Sequence, residues 1–195
     1  MPRIVDKPER RAMVASVAFD LVADIGIGAV TFRQVAEATG SSTAIVTNYF
    51  RDKNDLLFEV YRIANQRAMD RLEEAFAAGG DLLDVVTRVL PDTAEMQRNW
   101  HVWMAFWGLS HSDPVFREET AANARASVEL YREMLARRHA DKAPLPDETL
   151  EWMAIRLIAT VGGAGMQGCL SPEDWPLSRL REIIAAEIEV LDALA

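Results

Sequence analysis

Between Thr31 and Lys53 the chain carries short polar side chains at helical spacing. Thr31, Arg33 and Gln34 open one short helical pattern, and Ser42, Thr43, Thr47 and Asn48 dominate a second. The apolar positions between them, Val35, Ala36, Ile45 and Val46, are suited to facing inward. Hydroxyl and amide groups of this length reach base edges and phosphate oxygens of duplex DNA, and the methyl of Ala44 suits apolar contact with thymine. The layout is that of a helix-turn-helix, in which one helix braces the backbone and the next lies in the major groove.

A second cluster, Trp100 to Trp107, offers different chemistry. Trp100, Trp103 and Trp107 fall at i, i+3 and i+7, on one helical face. Indole faces attract cations, a quaternary ammonium above all, when they line a pocket; a stripe at this spacing is equally a core face. Met104, Met166 and Gln167 join the three tryptophans as candidate ligand contacts. Ser110-His111-Ser112-Asp113 holds the residue types of a catalytic triad, yet triads are assembled from distant segments, so a polar turn is expected and no catalytic residue is assigned. Cys169 is the one cysteine, which excludes an internal disulfide, and no metal site or cofactor motif is expected.

These groups need helices to position them. Apolar residues recur every three or four positions, so the expected fold is all-α with about nine helices. An N-terminal three-helix helix-turn-helix domain is expected over 1–52, and a larger helical ligand-binding and dimerisation domain over 53–195. The first helix follows Pro8 and runs to about Ile25, ended by Gly26 and Gly28. Thr31-Phe32-Arg33-Gln34 reads as a capping box, Gly40 as the turn, and Asp52 as the cap of a long helix from Lys53 to about Ala78. Further segments are expected at about 82–97, 99–111, 114–139, 148–169 and 177–194, with breaks marked by Pro91, the Ser112-Asp113-Pro114 turn, 144–147 and 171–176. The last two carry Leu150, Met153, Ile155, Leu157, Ile158 and Val161, then Leu180, Ile183, Ile184, Ile188 and Leu191, which suits a four-helix dimer interface. Gly162, Gly163, Gly165 and Gly168 interrupt the first of them. Close helix approach at the dimer axis, room for a ligand, or a helix end after Val161 would each explain them.

Charge narrows the partners. The net charge is −9, but residues 1–55 carry seven basic and seven acidic side chains, so the whole excess lies beyond residue 55. A neutral head on an acidic body presents one face to DNA and repels the rest. No stretch approaches the roughly 20 apolar residues of a membrane span, and a reducing cytoplasm is expected.

The run Thr47-Asn48-Tyr49-Phe50-Arg51-Asp52-Lys53-Asn54-Asp55-Leu56-Leu57 resembles the signature that closes the recognition helix in TetR-type repressors. That resemblance implies phosphate contacts from Tyr49 and Lys53, a core anchor at Phe50, and dimerisation through the last two helices. Ser41 and Thr47 depart from the family pattern, which often has an apolar residue and a Tyr there. The stretch Ser42 to Phe50, with Trp103-Met104-Ala105-Phe106-Trp107, resembles the BetI-type subgroup that represses choline-to-betaine genes. Gly162 to Gln167 stands where that subgroup tends to have Asp-Gly-Leu-Trp-Leu-Arg.

The resemblance implies a homodimeric repressor of a palindromic operator, released by a small-molecule effector such as choline. The alternatives are a regulator of efflux or catabolic genes answering a different hydrophobic molecule, and a DNA-binding protein without an effector. An enzyme is not expected.

Overall fold

The computed structural model describes residues 7–141 and 143–195. Among these the chain forms α1 (Lys7–Ile25), α2 (Phe32–Ala38), α3 (Thr43–Tyr49), α4 (Lys53–Ala77), α5 (Leu82–Val86), a 3-10 turn (Thr87–Val89), α6 (Ala94–Ser112), α7 (Pro114–Arg138), α8 (Asp147–Leu170) and α9 (Leu177–Leu194). No strand occurs among the described residues.

Local chemistry sets most boundaries. Gly26 ends α1 at a φ of 78°, which only glycine adopts readily. The Thr31 hydroxyl accepts from the Gln34 N–H at 3.3 Å while Gln34 Oε1 accepts from the Thr31 N–H at 2.9 Å, the reciprocal capping box expected for α2. Gly40, at a φ of 64°, turns the chain between α2 and α3. Asp52 caps α4 by accepting from the Asp55 N–H at 2.9 Å.

The segment expected over 82–97 is divided at its expected break, Pro91, into α5 with the 3-10 turn and the first turn of α6. Pro91 has no N–H and forces Leu90 out of the helical region, to φ −70° and ψ 153°. A fresh helix then starts at Ala94 behind the Thr93 cap and runs without a break to Ser112. Arg98, His101 and the three tryptophans therefore lie on one continuous rod.

Two cores result. Phe19, Val46, Phe50, Leu56 and Tyr61 form the head core, which also takes in Val102, Phe106 and Phe116 from α6 and α7. The body core joins Leu72, Trp100, Met134, Leu157 and Ile184 with residues from α4 to α9. The changeover falls within α4, after Ala64 and before Ala68.

The stripe expected to face a second copy faces inward. Leu150, Met153, Leu157, Val161, Leu180, Ile184, Ile188 and Leu191 are buried between helices of the same chain, because α8 packs on α7 and α9. Only Ile155 and Ile183 of that stripe are exposed. The glycines do not end α8, which continues to Leu170; a side chain at Gly168 would collide with Leu180 Cδ1 at 2.5 Å, so this glycine brings α9 close. By length and composition α8 is also long and apolar enough to cross a membrane, with a mean hydropathy of 1.2 over its most apolar stretch. The sequence reading had found no such stretch. Here its apolar stripe is used in packing against α7 and α9.

Candidate functional site

At the head, α3 turns Val46 into the core and presents Thr43, Ala44, Thr47 and Asn48 to solvent. Ser42 precedes α3 without spending its hydroxyl on a cap, and it too is exposed. Thr31 and Arg33 are exposed on the neighbouring helix, while Gln34 is half-buried in its capping box. Tyr49 is half-buried, and Lys53 reaches the Gly28 carbonyl at 3.4 Å from the first residue of α4. Ile45, expected inside, is 36% exposed beside Ala44. On a helix of seven residues the core contacts only a narrow face, and Val46 with the following Phe50 already fills it.

A residue the sequence reading did not single out holds this surface in place. Arg11 of α1 donates to the Tyr49 carbonyl at the end of α3, to Asp55 at 2.9 Å and to Glu59 at 2.9 Å, and its guanidinium lies 4.3 Å from the Phe50 ring centre. Its hydrogen bond holds the Asp55 carboxyl below the usual carboxylate range, against an opposing effect of burial. Arg11 thus ties α1, the recognition helix and the start of α4 together. Nothing in local spacing pairs Arg11 with Asp55, which are 44 residues apart.

In the body, α4, α6, α7 and α8 line a half-open cavity of about 200 Å³. Trp100, Trp103 and Trp107 form one wall, with Tyr61, Asn65 and Leu72 from α4, Thr120, Asn123, Ser127 and Tyr131 from α7, and Ile158, Val161 and Gly162 from α8. Trp100 serves as core and wall at once: it is 2% exposed, donates to the Val89 carbonyl at 2.7 Å, and stands edge-on to Trp103 and Trp107 with ring centres 5.1 and 6.0 Å away. Trp103 donates to Asn65 Oδ1 at 2.9 Å. The described lining is neutral throughout, five aromatic rings with amides and hydroxyls. Met104, Met166 and Gln167 are not part of it: Met166 packs into the body core, and the Gln167 carbonyl accepts from the Ser171 N–H. Of the α8 stretch Gly162 to Gln167, only Gly162 lines the cavity.

The other face of α6 grips the head. Arg98 bonds Asp24 of α1 at 2.5 Å and approaches Asp20 at 3.5 Å, and a ring nitrogen of His101 meets the Ala23 carbonyl at 3.1 Å. Ser110 to Ser112, expected as a polar turn, are the last residues of α6, and the Ser110 hydroxyl pairs with Thr120 at 2.8 Å, not with His111.

A capped brace helix, a glycine turn and a short polar helix on an all-helical body define a DNA-binding transcription regulator of the helix-turn-helix class. Residues 15–60 match the family "Bacterial regulatory proteins, tetR family", and residues 78–193 match "BetI-type transcriptional repressor, C-terminal". The chain belongs to the TetR family and, within it, to the BetI type. It is 27% identical to the HTH-type transcriptional regulator BetI of Cronobacter sakazakii over 190 residues, covering 94% of this chain and 91% of that protein. It is 26% identical to BetI of Escherichia coli (strain SE11), covering 91% and 92%. Among solved structures, a putative transcriptional regulator from Saccharomonospora viridis in complex with choline superposes with a TM-score of 0.81 at 24% identity, covering 93% of this chain and 96% of that one. A putative regulator from Pseudomonas aeruginosa PAO1 superposes with a TM-score of 0.80 at 20% identity, covering 97% and 93%.

Proposed function

We propose that this protein is a homodimeric repressor that holds a palindromic operator until a small cation enters the tryptophan-walled cavity. The observation that carries this reading is the double role of α6, whose one face walls the cavity while the other grips α1 through Arg98 and His101. A ligand that moves Trp103 or Trp107 moves the rod that holds the head. Two recognition helices set about 34 Å apart, one turn of DNA, then lose their register.

Dimerisation is supported by what α8 and α9 leave uncovered. Trp152, Ile155, Ala159 and Gly163 are exposed along α8, and Ile183, Ala186, Val190 and Leu194 along α9, both at spacings of three, four and four. Of twelve exposed large apolar residues among the described residues, seven lie on these two helices. Single exposed apolar residues are ordinary, but two such ridges on neighbouring helices suit a contact surface. In this reading Thr31, Arg33, Gln34, Ser42, Thr43, Ala44, Thr47, Asn48, Tyr49 and Lys53 form the DNA surface of each head, with the boundary between the DNA-binding and effector-binding domains at residue 52.

A neutral aromatic cavity favours a quaternary ammonium, because an indole face within about 6 Å contributes roughly 0.5–1 kcal/mol at an exposed site and about 2 kcal/mol once water is excluded. The choline complex of the S. viridis regulator supports the same class. The test is tryptophan emission during titration with choline, betaine aldehyde and larger alkylammonium ions, paired with operator binding. Quenching accompanied by operator release is expected. Unchanged operator affinity at saturating ligand would end the proposal, since coupling requires different affinities for the two states.

A further inference from the structure

Gly162 and Gly165 lie one turn apart on α8 and meet Trp100 and the cavity in opposite ways. A Cβ built at Gly165 would stand 2.0 Å from Trp100 Cζ2 and 2.6 Å from Cη2, so the indole rests directly on the helix backbone. Its Nε1 donates to the Val89 carbonyl, a hydrogen bond that a displaced ring would strain or lose. At Gly162, which lines the cavity, a Cβ would meet no atom within 4 Å. The absent side chain at 162 is therefore cavity space, whereas the absent one at 165 is occupied by the wall.

We infer that these two glycines set the size limit of the effector: Gly165 seats the Trp100 wall, and Gly162 holds open the space that the bulk of the ligand fills. The inference rests on the cavity being the effector site. Tyr131, 4% exposed, also lines the cavity, and burial raises its phenol pKa, so it stays a neutral hydroxyl there. The ligand class is a compact cation whose alkyl groups lie against the indoles and the open face of Gly162, with a hydroxyl or similar neutral polar end within reach of Tyr131.

Stability and binding should then move in opposite directions. Alanine is the better helix former, so Gly162→Ala raises the melting temperature of the free protein by about 2 °C. The same methyl fills ligand space. Removing room for one methylene changes binding by about tenfold or more. Tetramethylammonium, choline, tetraethylammonium and tetrapropylammonium, with benzene and indole as neutral probes, would be titrated against wild type, Gly162→Ala and Gly162→Val by tryptophan emission and thermal shift.

The expected result is that the largest probe held by wild type weakens at least about tenfold in G162A and further in G162V, while the smallest changes less than about twofold. Gly165→Ala, which must displace the indole, should weaken every probe and shift the Trp100 emission. An unchanged size ranking in both Gly162 variants overturns the inference. So does uniform weakening of all probes with a lower melting temperature, because that is the mark of a purely structural glycine. If no probe binds wild type, both this inference and the cavity as effector site fall. If the ranking shifts but no probe releases the operator, the size limit stands and the repressor reading falls.

Discussion

In the head, Thr31, Gln34, Gly40 and Asp52 fix the ends of three helices through partners a few residues away. In the body, the Trp100 wall is fixed by Val89 and by Gly165 on another helix. The head is thus specified by local rules and closes around a small core, while the body depends on distant segments meeting and leaves space among them. A surface that must match DNA repeatedly gains from the first arrangement. A cavity that must admit a ligand and move requires the second, since regions that switch are drawn from the less tightly packed part of a structure.

The largest expected break in this comparison comes from the body. Replacing both Ile155 and Val190 by Glu places charges in the proposed contact between copies and leaves a monomer by sedimentation. Operator affinity then falls about 100-fold or more, because a single head reads only one half-site. The intact head would still bind a lone half-site weakly.

Asn48→Ala acts within the head alone. Loss of a base contact costs about 1–3 kcal/mol and relaxes preference at one position of each half-site, measured by competition among operator variants. Ligand affinity of the free protein should not change. Equal weakening on every operator variant would mean that Asn48 touches the backbone only.

Asp55→Asn tests the clamp that joins α1, α3 and α4. Because Arg11 lowers the Asp55 pKa in the folded protein, the stabilisation is present above the unfolded carboxyl value of about 3.9 and is lost as pH falls through the lower folded value. The variant should lose roughly 1 kcal/mol at pH 7, a figure already discounted for solvent screening, and should match wild type in acid below both values. A chemical-denaturation series over pH checks both arms.

Arg98→Ala gives the smallest change in stability, about 0.5 kcal/mol, since its pairs with Asp24 and Asp20 are exposed. Its effect lies in the coupling between cavity and head. Ligand and operator each bind nearly as before, but saturating ligand should release less operator than in wild type. Full release would move the connection to α4.

The head was legible in the sequence for the same reason that it is locally specified. Capping box, turn glycine and the Tyr49-Phe50-x-x-Lys53 pattern each lie within one or two helical turns, whereas the all-α fold was read from apolar spacing along the whole chain and the BetI-type resemblance from Ser42 to Phe50 with Trp103 to Trp107. Arg11 was missed because its partners are on other helices. The body was legible as helices but not as faces. Periodicity gave α8 and α9 an apolar stripe without saying that the stripe faces inward, and the second, exposed ridge containing Trp152 and Val190 was diluted by Ala159, Gly163 and Ala186. The tryptophan face was placed on one helix, but whether it bordered space depended on Gly162, whose contribution is an absence. Pro91 was seen as a break, yet its register was not, so the start of α6 was misplaced.

The changeover of cores inside α4 has a consequence for how the protein comes apart. This helix has 25 residues and is roughly 37 Å long at 1.5 Å per residue, and its first half belongs to one core and its second to the other. Melting the head alone would require half of a continuous helix to fray against a half that is still packed. Val102, Phe106 and Phe116 would be stripped of their neighbours in the same event. The two regions differ in how they are encoded but share one cooperative transition, so heat should remove DNA binding and ligand binding together.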